Sequence, residues 1–165
     1  MRIKETTIPA LLVSTTEAAD YLNLDDSYPE LDNLLRSVQE LAEAYTARAF
    51  TSRTVQLTLD YAPELVFELP REPVTSITGI KTLSATETDA DAGTVIASST
   101  YYLADDHRLV FTTTPDIQRD YGGLIITYVA RDKDRTPTAM KTGILKALST
   151  AFENREDYVI GAGVS

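Results

Sequence analysis

A single histidine, His107, lies between Asp105-Asp106 and Arg108. An aspartate beside an imidazole can orient it for general-base work. Neighbouring residues on a strand point to opposite faces, however, and no serine or cysteine stands in a nucleophile elbow. The pattern reads as a histidine in a turn. Asp89-Ala90-Asp91-Ala92-Gly93 sets two acids before a glycine in the manner of a calcium loop. It lacks the further oxygen ligands and the closing bidentate glutamate that such a loop needs. Asp25-Asp26 has no third carboxylate in register for a nuclease-like metal pair. Gly122-Gly123 is followed by neither Lys-Ser/Thr nor a helix, so it is not a phosphate cradle. Nine tyrosines are spread over every segment, which suits packing and interfaces better than a base-stacking platform. The residue chemistry points to a non-enzyme that needs no cofactor and no metal.

Composition narrows the class further. A chain of 165 residues is long enough to bury a core of its own. It has no cysteine, so disulfides and thiolate metal sites are excluded. No apolar run approaches the roughly 20 residues of a membrane-spanning helix, and Ile8 to Val13 is too short for a signal segment. The reading is of a soluble protein made inside the cell. The formal charge of −10 opposes nucleic-acid binding, which rests on neutralising phosphates. The acid excess lies in the first two thirds: residues 14–50 hold eight acids against Arg36 and Arg48, and residues 51–130 hold eleven acids against five bases.

The elements that must position any site run helices, strands, helix. Ser14-Thr15-Thr16-Glu17 forms a capping box and opens a short helix ending near Asn23. Ser27, Pro29 and Glu30 mark a second start. From there Leu31, Leu34, Leu35, Val38, Leu41, Ala42, Tyr45 and Ala49 fall on one face of a long helix predicted to reach Phe50. Alternation over Val55–Tyr61 then predicts a half-buried strand. Further strands are predicted at 65–69, 74–83 with a bulge at Gly79, 94–97, 101–103, 109–112 and 124–129. The last is the most apolar and is expected at the centre. The small, acidic stretch 84–93 reads as a protruding hairpin tip. Thr136 caps a final helix with Pro137 in its first position and Met140, Ile144, Ala147, Leu148, Ala151 and Phe152 in its apolar stripe. The expected class is α+β: a helix–turn–long helix and a C-terminal helix packed with a central, mostly antiparallel small sheet. Residues 1–157 are expected as one domain, with 158–165 a flexible tail.

The ordered series of motifs resembles the head–tail connector (adaptor) proteins of long-tailed phages and prophages. Glu17-Ala18, Leu22 and Asp25-Asp26 match that family's acidic helix–turn–helix, and Tyr45-Thr46-Ala47-Arg48-Ala49-Phe50 its "Y-T-G-R-x-F". Leu69-Pro70-Arg71-Glu72-Pro73-Val74-Thr75-Ser76-Ile77 is similar to its "L-P-x-x-P-V-x-S-I/V". Tyr101-Tyr102-Leu103, Ile126-Thr127-Tyr128 and Asn154-Arg155-Glu156 continue the order. The resemblance spans residues 14–157, and Arg48, Phe50, Pro70, Pro73, Asn154 and Arg155 carry it. Ala47 departs from the family's glycine, and Ala130-Arg131 stands where Ala-Gly or Gly-Tyr is usual. Taken singly, each of these residues also fits a plain role at a strand or helix end.

The resemblance implies a ring, of twelve copies, beneath the portal of a DNA-filled head. Such a ring extends the DNA channel and docks a stopper or tail-completion protein at the virion neck, after synthesis in the host cytoplasm. DNA would pass without specific binding, and no membrane is involved. Glu40 and Glu43 are candidate channel-lining acids, since acids repel phosphate. Tyr158, Val159, Ile160 and Val164 are candidate portal contacts. Another neck subunit such as a stopper, or a small host binding module, shares this composition; the leading helices favour the connector over a β-dominated stopper.

Overall fold

The structure is a computed structural model and describes residues 1–25, 28–86, 92–131 and 138–154. The chain divides into two compact units: Met1–Pro9 with Ala47–Arg135, and Ala10–Thr46 with Thr136–Ser165. The fold class is α+β, as the sequence predicts.

The first unit is built of strands. Strands β1 (Arg2–Glu5), β2 (Arg53–Leu59), β4 (Val74–Thr82), β5 (Thr94–Val95) and β8 (Leu124–Ala130) make an antiparallel sheet ordered β1-β2-β8-β4-β5. Strands β3 (Val66–Glu68), β6 (Tyr101–Ala104) and β7 (Arg108–Phe111) make a second, ordered β3-β7-β6. Both sheets contribute to one core that includes Val55, Leu57, Leu59, Ile80, Leu109, Phe111, Ile126 and Tyr128. In β2 the alternation legible in the sequence is obeyed strictly, with every second residue from Arg53 to Leu59 buried. β8 is the central strand, where its continuous apolar character belongs. The register of β4 against β8 slips at Val74/Ser76 and again at Ile77/Gly79, so the expected bulge is present and a second one precedes it. β1 went unseen in the sequence. It is an edge strand whose first three residues are exposed, so no apolar alternation betrays it.

The second unit is helical. α1 (Thr15–Leu22) is capped by the Ser14 hydroxyl, which accepts from the Glu17 amide at 3.1 Å, and ends on Asn23 in the left-handed conformation. The Glu17 carboxylate accepts from Lys141 at 3.2 Å on α3 (Thr138–Glu153). α2 (Leu31–Thr46) packs on both, and Tyr28 meets Phe152 edge to face at 5.8 Å. α2 stops at Thr46 and not at Phe50, because Ala47 takes φ 55 and breaks the helical repeat.

The buried face of α2 also differs from the predicted one. Leu31, Leu35 and Val38 are buried together with Gln39 and Glu43, whereas Leu41 is 73% and Tyr45 92% exposed. Gln39 supplies the physical reason. Its Oε1 accepts from the Leu12 amide at 2.7 Å and its Nε2 donates to the Ala10 carbonyl at 3.1 Å. A buried amide satisfied on both sides fixes the helix rotation and takes the place of an apolar residue.

The Ser27, Thr136 and Pro137 helix-start signals, Asp26, residues 87–91 of the 84–93 tip and the 158–165 tail lie outside the described residues. The strands flanking that tip do pair, Lys81 with Val95 and Thr82 with Thr94.

Candidate functional site

The loop between β3 and β4 gathers most of the motif residues. Leaving α2, Arg48 forms a parallel bridge to Glu72, and the Ala49 amide donates to the Glu72 carbonyl at 2.9 Å. The Arg48 guanidinium reaches the Glu72 carboxylate at 2.7 Å. Phe50 follows at 5% exposure. From the central strand, the Tyr128 hydroxyl donates to the Pro70 carbonyl at 2.6 Å. The Arg131 amide donates to the Pro73 carbonyl at 2.7 Å. Three segments far apart in the chain, around residues 48, 107 and 128, close on this one short loop.

His107 lies in the turn joining β6 to β7, as the sequence reading places it. Its carbonyl accepts from the Leu69 amide at 2.7 Å, and the Asp106 carbonyl accepts from the Val74 amide. Its Nδ1 sits 2.9 Å from Asp106 Oδ1 and 3.9 Å from Glu72 Oε2. That hydrogen bond, ahead of weaker charge effects, holds the Asp106 carboxyl below its ordinary value. Burial pushes the Tyr128 phenol well above its own. Beneath the loop, Glu5 bridges Arg53, whose side chain is almost fully buried, at 3.2 Å and Arg71 at 3.4 Å.

Glu72, Asp106 and His107 bring three potential ligand atoms within 4.8 Å of one another. The Arg48 guanidinium already occupies one Glu72 oxygen, so a metal cation would have to displace a resident positive charge. The arrangement is suited to locking a turn against a loop. Arg48, Pro70, Pro73 and Tyr128 act here as structural fasteners, and the sequence had no means of pairing them.

The other predicted residues lie elsewhere. Glu40 is exposed on α2, whereas Glu43 is buried at 2% exposure, so the two acids do not share a surface. The Asn154 Nδ2 donates to the Thr150 carbonyl at 2.9 Å, capping the end of α3. Arg155, Tyr158, Val159, Ile160 and Val164 fall outside the described residues. The sequence also missed an apolar groove of about 580 Å³ between α2 and α3, lined by Leu41, Ala42, Tyr45, Ala147 and Ala151 among others. Its signal was present as Leu41 and Tyr45, which a single-stripe reading assigned to the core.

No family model matches the chain, and no curated protein does. Solved structures do. A chain in the virion of a native gene transfer agent (GTA) particle superimposes with a TM-score of 0.77 at 22% identity, covering 100% of this chain and 88% of that one. A chain in the neck of an empty GTA particle, computed with C6 symmetry, gives 0.79 at 21% identity, with 100% and 88% covered. A chain in the neck of a native GTA particle, computed with C12 symmetry, gives 0.75 at 19%, with 100% and 87% covered. At these identities the likeness establishes a shared fold.

Proposed function

We propose that this chain is a structural subunit of a phage-like neck, specifically a head–tail connector (adaptor) that forms a ring under the portal. The observation that carries the reading is the full-length likeness to chains of GTA necks, all 165 residues being covered in each comparison. The order of sequence motifs supports it independently.

On this reading, copies of the chain associate side by side, extend the DNA channel and dock the next neck or tail protein. Weak pairwise contacts become strong once a portal ring offers many neighbouring sites, because each added copy binds at high effective concentration. The segment with Tyr158, Val159, Ile160 and Val164 is our candidate for portal contact. Glu40 is our candidate acid facing DNA, where negative charge lets phosphate slide past.

Mass photometry of the purified protein, alone and then with purified portal rings, tests the reading. A monomer that shifts to a stoichiometric ring on the portal supports the connector. A protein that ignores the portal overturns that assignment and favours a stopper or a host binding module. Deleting residues 158–165 should abolish portal attachment while the fold persists.

A further inference from the structure

The face of the five-stranded sheet turned away from the core carries charge opposite to that of the whole chain, at its rim, while Ile125 in its middle is buried at 3% exposure. Register makes this plain. Ile3, Leu57, Ile126 and Ile80 form one cross-strand row, whose β2, β8 and β4 members belong to the core. The rows on either side must therefore face the other way. One reads Arg2, Thr58, Ile125, Lys81, Val95 across all five strands. The other reads Lys4, Gln56, Thr127, Gly79. Neither row contains an acid. Arg119 joins them across a cleft of about 500 Å³ that Arg2, Lys4, Gln56 and Thr58 also line.

One of these cations is held in place. The Arg2 guanidinium lies 4.6 Å over the Tyr121 ring. Asp60 stands at the end of the cleft, but its carboxylate is engaged by the Gly122 amide at 2.7 Å. Arg2 and Lys4 are both exposed. A four-cation face on a chain of net charge −10 is a marked charge asymmetry.

We propose that this face is an interface between copies, and that its occupant is the acidic α1–α2 segment of the next copy in the ring. The inference rests on the ring reading above and assigns it a pair of surfaces. Exposed Asp20, Glu30 and Asp32 are the acids it would meet, which leaves Glu40 to the channel. A head-to-tail contact uses two different patches of one chain, and rotation closes such contacts into a ring. Every copy carries one cationic sheet face and one acidic helical segment, so closure matches all of them. Nucleic acid is the less favoured occupant, because the field of a strongly anionic protein repels phosphate before the cleft is reached.

Carbodiimide cross-linking of a mixture of ¹⁴N- and ¹⁵N-labelled protein tests this directly, since the reagent joins amines to carboxylates only in contact. Mixed-isotope links from Lys4 or Lys81 to acids between residues 20 and 32 are expected, and should fade in about 0.5 M salt as screening shortens the field. Links confined to single copies, or to other acids, overturn the proposal. Charge reversal gives a second arm. Arg2→Glu/Lys4→Glu and Glu30→Lys/Asp32→Lys should each lose the links from Lys81 at least about 10-fold alone and recover them when mixed. Mixing that restores nothing overturns the pairing, as does duplex DNA binding that Arg2→Glu/Lys4→Glu abolishes. A protein that still forms rings on portals without these links sinks this interface only; one that forms no rings sinks the neck reading itself.

Discussion

The Tyr128 hydroxyl donates to the Pro70 carbonyl at 2.6 Å from a side chain with no solvent exposure, joining the central strand to the β3–β4 loop. Removing the hydroxyl leaves the carbonyl of half-buried Pro70 without its donor. Tyr128→Phe should lower unfolding free energy by about 1–2 kcal/mol in urea titrations, with the fold retained. The phenol's raised pKa adds a pH signature. A group whose folded pKa is raised stabilises below its unfolded value, 10.0, and loses that contribution as pH rises above it. Wild type should therefore weaken above pH 10 more steeply than Tyr128→Phe.

Asp106 gives the opposite sign. Its carboxyl is held below its ordinary 3.8 by the hydrogen bond to His107, so its contribution is present above that value and lost as pH falls through the folded one. Asp106→Asn should flatten part of the acid limb of the stability profile. The side chain is 58% exposed, so the change is small, and a matching loss at neutral pH beyond about 1 kcal/mol would contradict the assignment.

Two residues that depart from the motifs of the connector family take positive φ here: Ala47 at 55°, where glycine is usual, and Arg131 at 60°, where Ala-Gly or Gly-Tyr is usual for the pair 130–131. An L side chain in that region costs about 1–2 kcal/mol, against which glycine loses more freedom on folding. Ala47→Gly, at an exposed position, should raise stability by up to about 1 kcal/mol. Arg131→Gly should not, because it also strips a side chain that is 95% buried of its packing. Paired thermal melts of the two variants separate these effects.

The rotation of α2 can be read from three substitutions. Leu35→Ala, at a fully buried site, should cost about 2–5 kcal/mol, whereas Tyr45→Ala should stay within about 0.5 kcal/mol. Equal losses at both sites would restore the single apolar stripe of the sequence reading. Gln39→Leu should cost about 1–3 kcal/mol, because it strands the Leu12 amide and the Ala10 carbonyl.

Glu40 and Glu43 sort by the same logic. Glu40→Lys should leave stability within about 0.5 kcal/mol, while Glu43→Lys should destabilise strongly by forcing a cation into a buried site. A channel test by charge reversal is therefore interpretable at Glu40 alone. Slower DNA passage in particles carrying Glu40→Lys is expected, and unchanged infectivity would remove the channel-lining assignment.

Local chemistry was legible in the sequence wherever one residue decides one conformation. Ser14 and Asn23 marked both ends of α1, alternation marked β2, and the apolar run of β8 marked the central strand, because caps and periodicity act over a single turn or pleat. β1 was illegible: its strand character comes from pairing with β2, not from its own residues. The same holds for the face α2 buries, which the amide of Gln39 selects by reaching residues 10 and 12. The meeting of Arg48 with Glu72 and of Tyr128 with Pro70 likewise depends on sheet register. So does the cationic row from Arg2 to Lys81, whose members are scattered along the chain. Sequence alone determined the three helices and every strand but β1, since these are a matter of local periodicity and capping. The tertiary structure decided which side chains meet, because contact between distant residues is fixed by register and packing that no local pattern encodes.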